Sequence, residues 1–324
     1  MGNIKPLVVS LALIFGGIAV GRALLAFSRN RSPRVQQFTE KFIFLMRNIA
    51  FYFMSPFVVI NAFWIIDIKS ISYISVPLIG LGALVIGSSV AVLLAKARRM
   101  ELKQEGAMFC AGSCSNIGSF GSLLCFVFFG QPGIVFSTLY RVFETPYYYL
   151  FLYPTAREYT ADKNTAKVNR LLWLMKDPIA IIFFISIVIG LTLNLAHIPC
   201  PNFVSETTEL LIPISTVLLL FSVGYTLRFS KVRRYRFAVV GISFIKYMLT
   251  PLFVIGAALL LGLNRLGDGT LFKTLIVLSA LPSGFNSLIP AQMFGLDVDL
   301  VNACWLVTTI LLIPVVAVIW LFVA

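Results

Sequence analysis

Charge is what this chain has least of. Of its 324 residues only 12% are charged, whereas 59% are apolar. A soluble domain carries about a quarter charged residues, so an ordinary water-facing globule is excluded. Histidine is nearly absent: His197 is the only one, in the turn His197-Ile198-Pro199-Cys200-Pro201, with no acidic or second histidine partner close in sequence. It reads as a plain loop residue. The five cysteines are Cys110, Cys114, Cys125, Cys200 and Cys304. Cys110 and Cys114 share a helix face, but no histidine or second cysteine pair completes a zinc pattern. The chain has no HExxH motif, no Asp-Asp motif, and no paired carboxylates or histidine at membrane depth. These gaps remove the nucleophile–base pairs and metal ligands that an intramembrane enzyme needs. They point to a protein that is not an enzyme and works without cofactor or metal.

What the chain does have is long apolar blocks, with a mean hydropathy of +0.94. A membrane-spanning helix needs about 20 predominantly apolar residues. Ten such blocks are predicted, at 6–27, 42–66, 72–95, 104–130, 134–154, 171–196, 206–228, 237–262, 271–295 and 299–323. The first has no A-x-A-like cleavage site and reads as a retained helix. The fold class is therefore an all-α polytopic membrane protein, with no room for a separate soluble domain. The net charge of +13 could suggest nucleic acid, but its distribution argues against that partner. With the N-terminus outside, nineteen of the 26 Lys and Arg residues fall in the inside segments 22–41, 96–103, 157–176 and 228–236. Only Lys5, Lys69, Arg265 and Lys273 fall outside, and Arg47, Arg141 and Lys246 lie within spans. Such asymmetry orients a polytopic protein with its basic loops toward the cytoplasm, against anionic lipid headgroups. Both termini are then expected on the outside of a cytoplasmic (inner) membrane.

Two of the apolar blocks are interrupted in corresponding places. The first interruption is Gly112-Ser113-Cys114-Ser115-Asn116-Ile117-Gly118-Ser119-Phe120-Gly121; the second is Leu281-Pro282-Ser283-Gly284-Phe285-Asn286-Ser287-Leu288-Ile289-Pro290. A lipid-facing helix cannot carry such a break, because its freed N–H and C=O groups would have no partner. The polar stretch 155–170 divides the chain into five spans (1–154) and five spans (171–324). An odd number per half sends the second half into the membrane from the opposite side, the geometry of an inverted repeat. Landmark order agrees: Asn116 and Asn286 lie 170 residues apart, and Pro146 and Pro314 lie 168 apart.

Matched broken helices are the best sequence-level pointer to a transporter's binding site. Each break presents the N-terminus of a half-helix, with about half a positive charge, to the membrane centre. A carboxylate can be held there without a fixed countercharge. Ser115, Asn116, Ser119, Ser283, Asn286 and Ser287 supply neutral donors and acceptors. Gly118, Gly121 and Gly284 allow close approach, and Pro282 and Pro290 remove N–H donors and set where the helix stops. Asn61 follows Ser55-Pro56 by about a turn and is deep enough to need a partner, either the cavity or a neighbouring helix. Arg141 and Glu144, at i and i+3, can pair, as a proton- or substrate-linked switch or as a self-neutralising structural pair. Lys246 is expected within snorkelling reach of the inside surface.

The run Leu278-Ser279-Ala280-Leu281-Pro282-Ser283-Gly284-Phe285-Asn286-Ser287, continuing through Ala291-Gln292-Met293-Phe294-Gly295-Leu296-Asp297-Val298-Asp299, resembles the ninth-span signature of the auxin efflux carrier family. Cys114 to Ser122, with Phe129-Gly130, resembles its fourth-span counterpart. Lys176-Asp177-Pro178-Ile179-Ala180 and Ser55-Pro56 leading to Asn61 are also similar. The resemblance implies two inverted five-helix repeats with crossing helices 4 and 9. It implies a scaffold of helices 1, 2, 6 and 7 and a transport domain of helices 3–5 and 8–10. It further implies elevator-type carriage of a small organic anion, commonly a carboxylate, by a homodimer. Asn116 and Asn286 fall on the family's crossover positions. Asn61 stands where plant members tend to have histidine, and the short central linker resembles that of bacterial members. Proton coupling, sodium coupling of the bile acid type, and a non-transporting sensor are the alternatives that the residues leave open.

Overall fold

The computed structural model describes residues 5–29, 31–66, 71–160, 175–226 and 232–323. Most of the predicted linker 155–170, the start of the sixth predicted span, the end of the seventh, and Lys69, Arg228 and Lys231 lie outside the described residues. The described segments are mostly helical. In order it forms α1 (Lys5–Arg29), α2 (Pro33–Ile49), α3 (Ser55–Trp64), α4 (Ser75–Ala97), α5 (Leu102–Ser113), α6 (Ser122–Tyr140), α7 (Glu144–Tyr147) and α8 (Tyr153–Glu158). These are followed by α9 (Pro178–Leu195), α10 (Asn202–Thr226), α11 (Arg236–Phe244), α12 (Thr250–Leu260), α13 (Thr270–Ser279), α14 (Leu288–Met293) and α15 (Val298–Val323). Eight helical stretches among the described residues are long and apolar enough to cross a membrane, which makes this a multi-pass membrane protein.

Two boundaries depart from the sequence expectation. The second span begins at Pro33 rather than near residue 42, so its helical stretch runs 32 residues to Trp64. The polar residues of Pro33–Lys41 still satisfy their backbone as helix, and hydropathy alone does not see that. The seventh begins at Asn202, one turn before Ser205, so Glu206 and Glu209 sit inside the helix. Asp177 precedes α9, which has Pro178 at its first position, and Asp297 Oδ1 accepts the Leu300 N–H at 3.0 Å, capping α15.

The predicted fourth and fifth spans share one 42-residue helical stretch, Ile117–Glu158. It is not straight. Gly130, at φ 65°, breaks α6 just before Pro132, and the Ser122 and Ser137 hydroxyls lie 3.3 Å apart. Fifteen residues of continuous helix would separate them by about 22 Å, so the chain reverses there as a hairpin.

Proline shapes three further helices by one device. A π-turn precedes Ser55-Pro56 (Ala50–Met54), Tyr153-Pro154 (Tyr148–Leu152) and Thr250-Pro251 (Ile245–Leu249). A proline ring clashes with the carbonyl one turn earlier and offers no N–H. Widening that turn by one residue relieves both problems and keeps the helix going.

Two compact units result. The first comprises residues 1–67, 122–138 and 178–227; the second comprises 68–121, 139–177 and 228–324. In the first, α1 and α10 approach closely because glycine removes the obstruction: a Cβ at Gly17 would stand 3.2 Å from Leu220 Cβ, and Gly21 and Gly224 lie against the backbone of Phe221 and Ile18. Lipid is as apolar as leucine, so such close packing, rather than escape from water, holds membrane helices together. Gly190 of α9 packs the same way on α3, where a Cβ would stand 2.6 Å from Ile60 O and 2.7 Å from Phe63 Cβ. Gly190→Val is expected to cost about 2 kcal/mol and to lower the detergent-solubilised Tm by about 5 °C. Gly16→Ala, with open space around it, is expected to leave the Tm unchanged. Equal melting of the two variants would contradict this packing.

In the second unit, the core gathers Leu84, Ala91, Ala107, Met108, Ala238, Ile242, Ala303 and Cys304 from α4, α5, α11 and α15. Gly87 and Gly112 touch backbone to backbone across α4 and α5. That contact lets α5 end deep inside the unit.

Candidate functional site

α5 stops at Ser113, and Cys114 is extended at φ −95°, ψ 136°. The second interruption is extended too, with Gly284 at φ −74°, ψ 144°. The two segments cross as an isolated antiparallel bridge between Ser115 and Ser283. The Asn116 N–H donates to Pro282 O and the Gly284 N–H donates to Cys114 O, each at 3.0 Å. Each break thus satisfies the other's backbone, which answers the question raised by polar interruptions in apolar chain. Gly284 is required by the approach, because a Cβ there would meet Ser115 O at 2.8 Å.

The end of α5 is closed group by group. The Cys110 carbonyl accepts the Cys114 N–H at 3.3 Å. The Ala111 carbonyl accepts the Ser283 hydroxyl at 2.8 Å, and the Gly112 carbonyl accepts Lys246 Nζ at 2.8 Å. Lys246 Nζ also donates to Ser115 Oγ at 3.0 Å. A helix end leaves its last carbonyls orphaned and a partial negative charge exposed, and an ammonium is well suited to both. Lys246 is only 1% exposed. It does not snorkel to the inside surface as expected. Its π-turn before Pro251 packs against α4, and the side chain reaches the crossing.

Beyond the crossing, a π-turn at Ile117–Gly121 opens the second half-helix of the first interruption, and a 3₁₀ turn at Phe285–Ser287 opens that of the second. Asn116 Oδ1 accepts the Ser119 hydroxyl at 2.5 Å. The Asn116 amide nitrogen, in a residue 7% exposed, has no hydrogen-bond partner. Ser287 Oγ donates to Gly284 O at 2.7 Å. Asn286 is half-buried beside it. α15 borders the same crossing: Thr308 Oγ1 accepts the Ser283 N–H at 3.2 Å, and Trp305 meets Phe285 edge-on at 6.3 Å. Trp305 Nε1 and Thr309 Oγ1 are likewise buried without a partner. Buried polar groups are nearly always paired, so three unpaired ones on elements at or beside one crossing are unusual.

Arg141 and Glu144 pair as their spacing suggested. Arg141 Nε lies 2.9 Å from Glu144 Oε2, and Tyr148 donates to Glu144 Oε1 at 2.8 Å. The pair is not remote from the crossover. A Cβ at Gly118 would stand 2.8 Å from Arg141 Nη1, so the guanidinium lies over that glycine. The expected neutral site thus has two cationic side chains against it, Arg141 and Lys246. Ser115, Asn116, Gly118, Ser119, Pro282, Ser283, Asn286 and Ser287 all belong to the second unit, with both cations.

Asn61 belongs to the first unit. Fully buried, it donates to Gln131 Oε1 at 3.3 Å and accepts from Cys200 Sγ at 3.5 Å. Gln131, which sequence reasoning passed over, also donates to Ser205 O at 3.0 Å and to Glu209 Oε1 at 3.4 Å. Asn61 thus makes a hydrogen bond from α3 to Gln131 of α6. Gly130-Gln131-Pro132 was the available signal, a polar residue between a helix breaker and a proline.

A family model described as membrane transport protein matches residues 31–320, nearly the whole chain. The chain belongs to that family. It is the auxin efflux carrier family that residues 278–299 and 114–130 resemble. No individual curated protein matches the chain.

Proposed function

We propose that this protein is a secondary transporter that carries a small organic anion, a carboxylate, across the cytoplasmic membrane. The observation that carries this reading is the buried Asn116 amide nitrogen, unpaired at the mouth of a half-helix. A donor without a partner inside a membrane protein costs about 1–3 kcal/mol, and an anionic guest would satisfy it. The guest's negative end lies toward the half-helix N-termini at Ile117 and Phe285, with Asn116, Ser119 and Asn286 as hydrogen-bonding groups and Arg141 as the flanking cation.

The chain crosses the membrane ten times in two inverted five-helix repeats in this reading. The hairpin at Gly130 and the interrupted segment Thr270–Met293 support that count, each supplying a crossing that a count of long helices misses. Both termini face outward, the protein pairs as a homodimer, and carriage is by elevator-type alternating access. The Arg141–Glu144 pair is the candidate for proton coupling.

The test is uptake of a panel of labelled carboxylates into proteoliposomes. Asn116→Ala combined with Asn286→Ala is expected to lower the flux about tenfold or more, the worth of hydrogen bonds to a charged group. Unchanged flux in the double variant would remove the crossover as the substrate site, and binding without flux would make the protein a sensor.

A further inference from the structure

Lys246 does something in this unit that the proposed transport reading does not require. Its ammonium is held by a main-chain carbonyl at the C-terminal pole of a broken helix and by a hydroxyl on the unwound segment, at 2.8 and 3.0 Å. Among the described residues no carboxylate forms an ion pair with it, and Glu144 is engaged by Arg141 and Tyr148. Unwound carbonyls and half-helix C-terminal ends are the oxygen ligands that bind a coupling sodium ion in transporters with broken helices. An ammonium and an alkali cation ask the same of such a place: one positive charge, hard oxygen donors and the negative end of a helix dipole.

We propose that Lys246 is a tethered monovalent cation, occupying the coordination site that a free alkali ion would otherwise take, so that the crossover is assembled without sodium. The π-turn is what makes the tether reach. Thr250 Oγ1 bonds back to Ile245 O at 2.8 Å, closing the wide turn around Lys246, and the proline that follows prevents a regular helix from re-forming there. Lys246 is thus a positioning residue. It binds Gly112 O and Ser115 Oγ on either side of Ser113-Cys114, and so holds the bend through which Asn116 is presented. The presentation of Asn116 to a substrate rests on the proposed transport reading, whereas the tether itself rests on the two Lys246 contacts.

The test uses the purified full-length protein and three chloride salts: sodium, n-propylammonium and choline. n-Propylammonium reproduces the Cγ-to-Nζ fragment that alanine removes, and choline is too large for the space. Wild type is expected to melt at the same temperature in all three. Lys246→Ala is expected to melt about 5 °C lower in choline, with sodium or n-propylammonium restoring at least half of the loss. Should the alanine variant aggregate, the same comparison is read as the monodisperse fraction extracted in each salt. Lys246→Met, whose own side chain fills the space without charge, is expected to respond to neither cation. Equal behaviour of Lys246→Ala in the three salts would overturn the proposal, as would a sodium response of wild type as large as that of the variant. None of these readouts involves flux. Failure of the Asn116/Asn286 experiment with cation rescue intact would therefore remove the substrate site and leave the tethered cation standing.

Discussion

Valine in place of Gly284 is expected to abolish carboxylate uptake and to lower the Tm by about 10 °C. The new Cβ alone would stand 2.8 Å from Ser115 O and 3.0 Å from its carbonyl carbon, both main-chain atoms with no side-chain freedom to yield. The two extended segments would have to separate. Doing so would break Asn116 N–H to Pro282 O and Gly284 N–H to Cys114 O, and would pull Ser283 Oγ from Ala111 O. Two buried main-chain pairs left open cost about 2–6 kcal/mol, and for a chain of this size each kcal/mol is worth about 2–4 °C. The matched control is Gly256→Ala in α12, where a Cβ meets nothing within 4 Å. Wild-type uptake by Gly284→Val would mean that the crossing is not a rigid joint, and the site geometry built on it would have to be withdrawn.

Arg141→Gln is expected to reduce carboxylate uptake more than tenfold and to destabilise the protein by about 3 kcal/mol. That figure is the low end for breaking a buried ion pair, chosen because the arginine side chain is 20% exposed while its glutamate is 3% exposed. The two effects have different origins, and a double variant separates them. Arg141→Gln with Glu144→Gln removes both charges and leaves no stranded carboxylate beside Tyr148, so the Tm should return to within a few degrees of wild type. Uptake should stay low, because the guanidinium over Gly118 is gone. If uptake recovers together with stability, the pair is a structural brace with no part in transport. Thermal melting and initial uptake rates on the four proteins of this cycle decide between the two.

Some of this was legible from the chain. The polar interruptions were visible because a single-residue-resolution rule applies to them: apolar surroundings forbid free backbone polar groups, so Ser115-Asn116 and Ser283-Gly284 had to be paired with something. The i,i+3 spacing of Arg141 and Glu144 was enough to predict their bond, since helix geometry alone brings them together. Lys246 was misplaced for the opposite reason. Its acceptors lie 131 and 134 residues away, and nothing in Ile245-Lys246-Tyr247 says which neighbour it meets. Pro251 carried a partial signal, because a proline inside an apolar helix implies a widened turn before it. Gln131 was overlooked because a polar residue beside Gly130 and Pro132 reads as an ordinary turn. Its bonds to Asn61, Ser205 and Glu209 come from three separated stretches of chain.

By itself, the amino-acid order determined that this chain lives in the bilayer, that two of its spans are cut, and that the cuts are matched. Each of these follows from local solvation, in which every residue is judged against hydrocarbon rather than water. Tertiary structure alone decided that the cuts cross and bond to each other, that an ammonium closes the end of one broken helix, and that a guanidinium leans on its glycine. Those facts depend on which helix packs against which. Packing is set by long-range fits of small residues such as Gly87 on Gly112, and no short window of sequence contains both halves of such a fit.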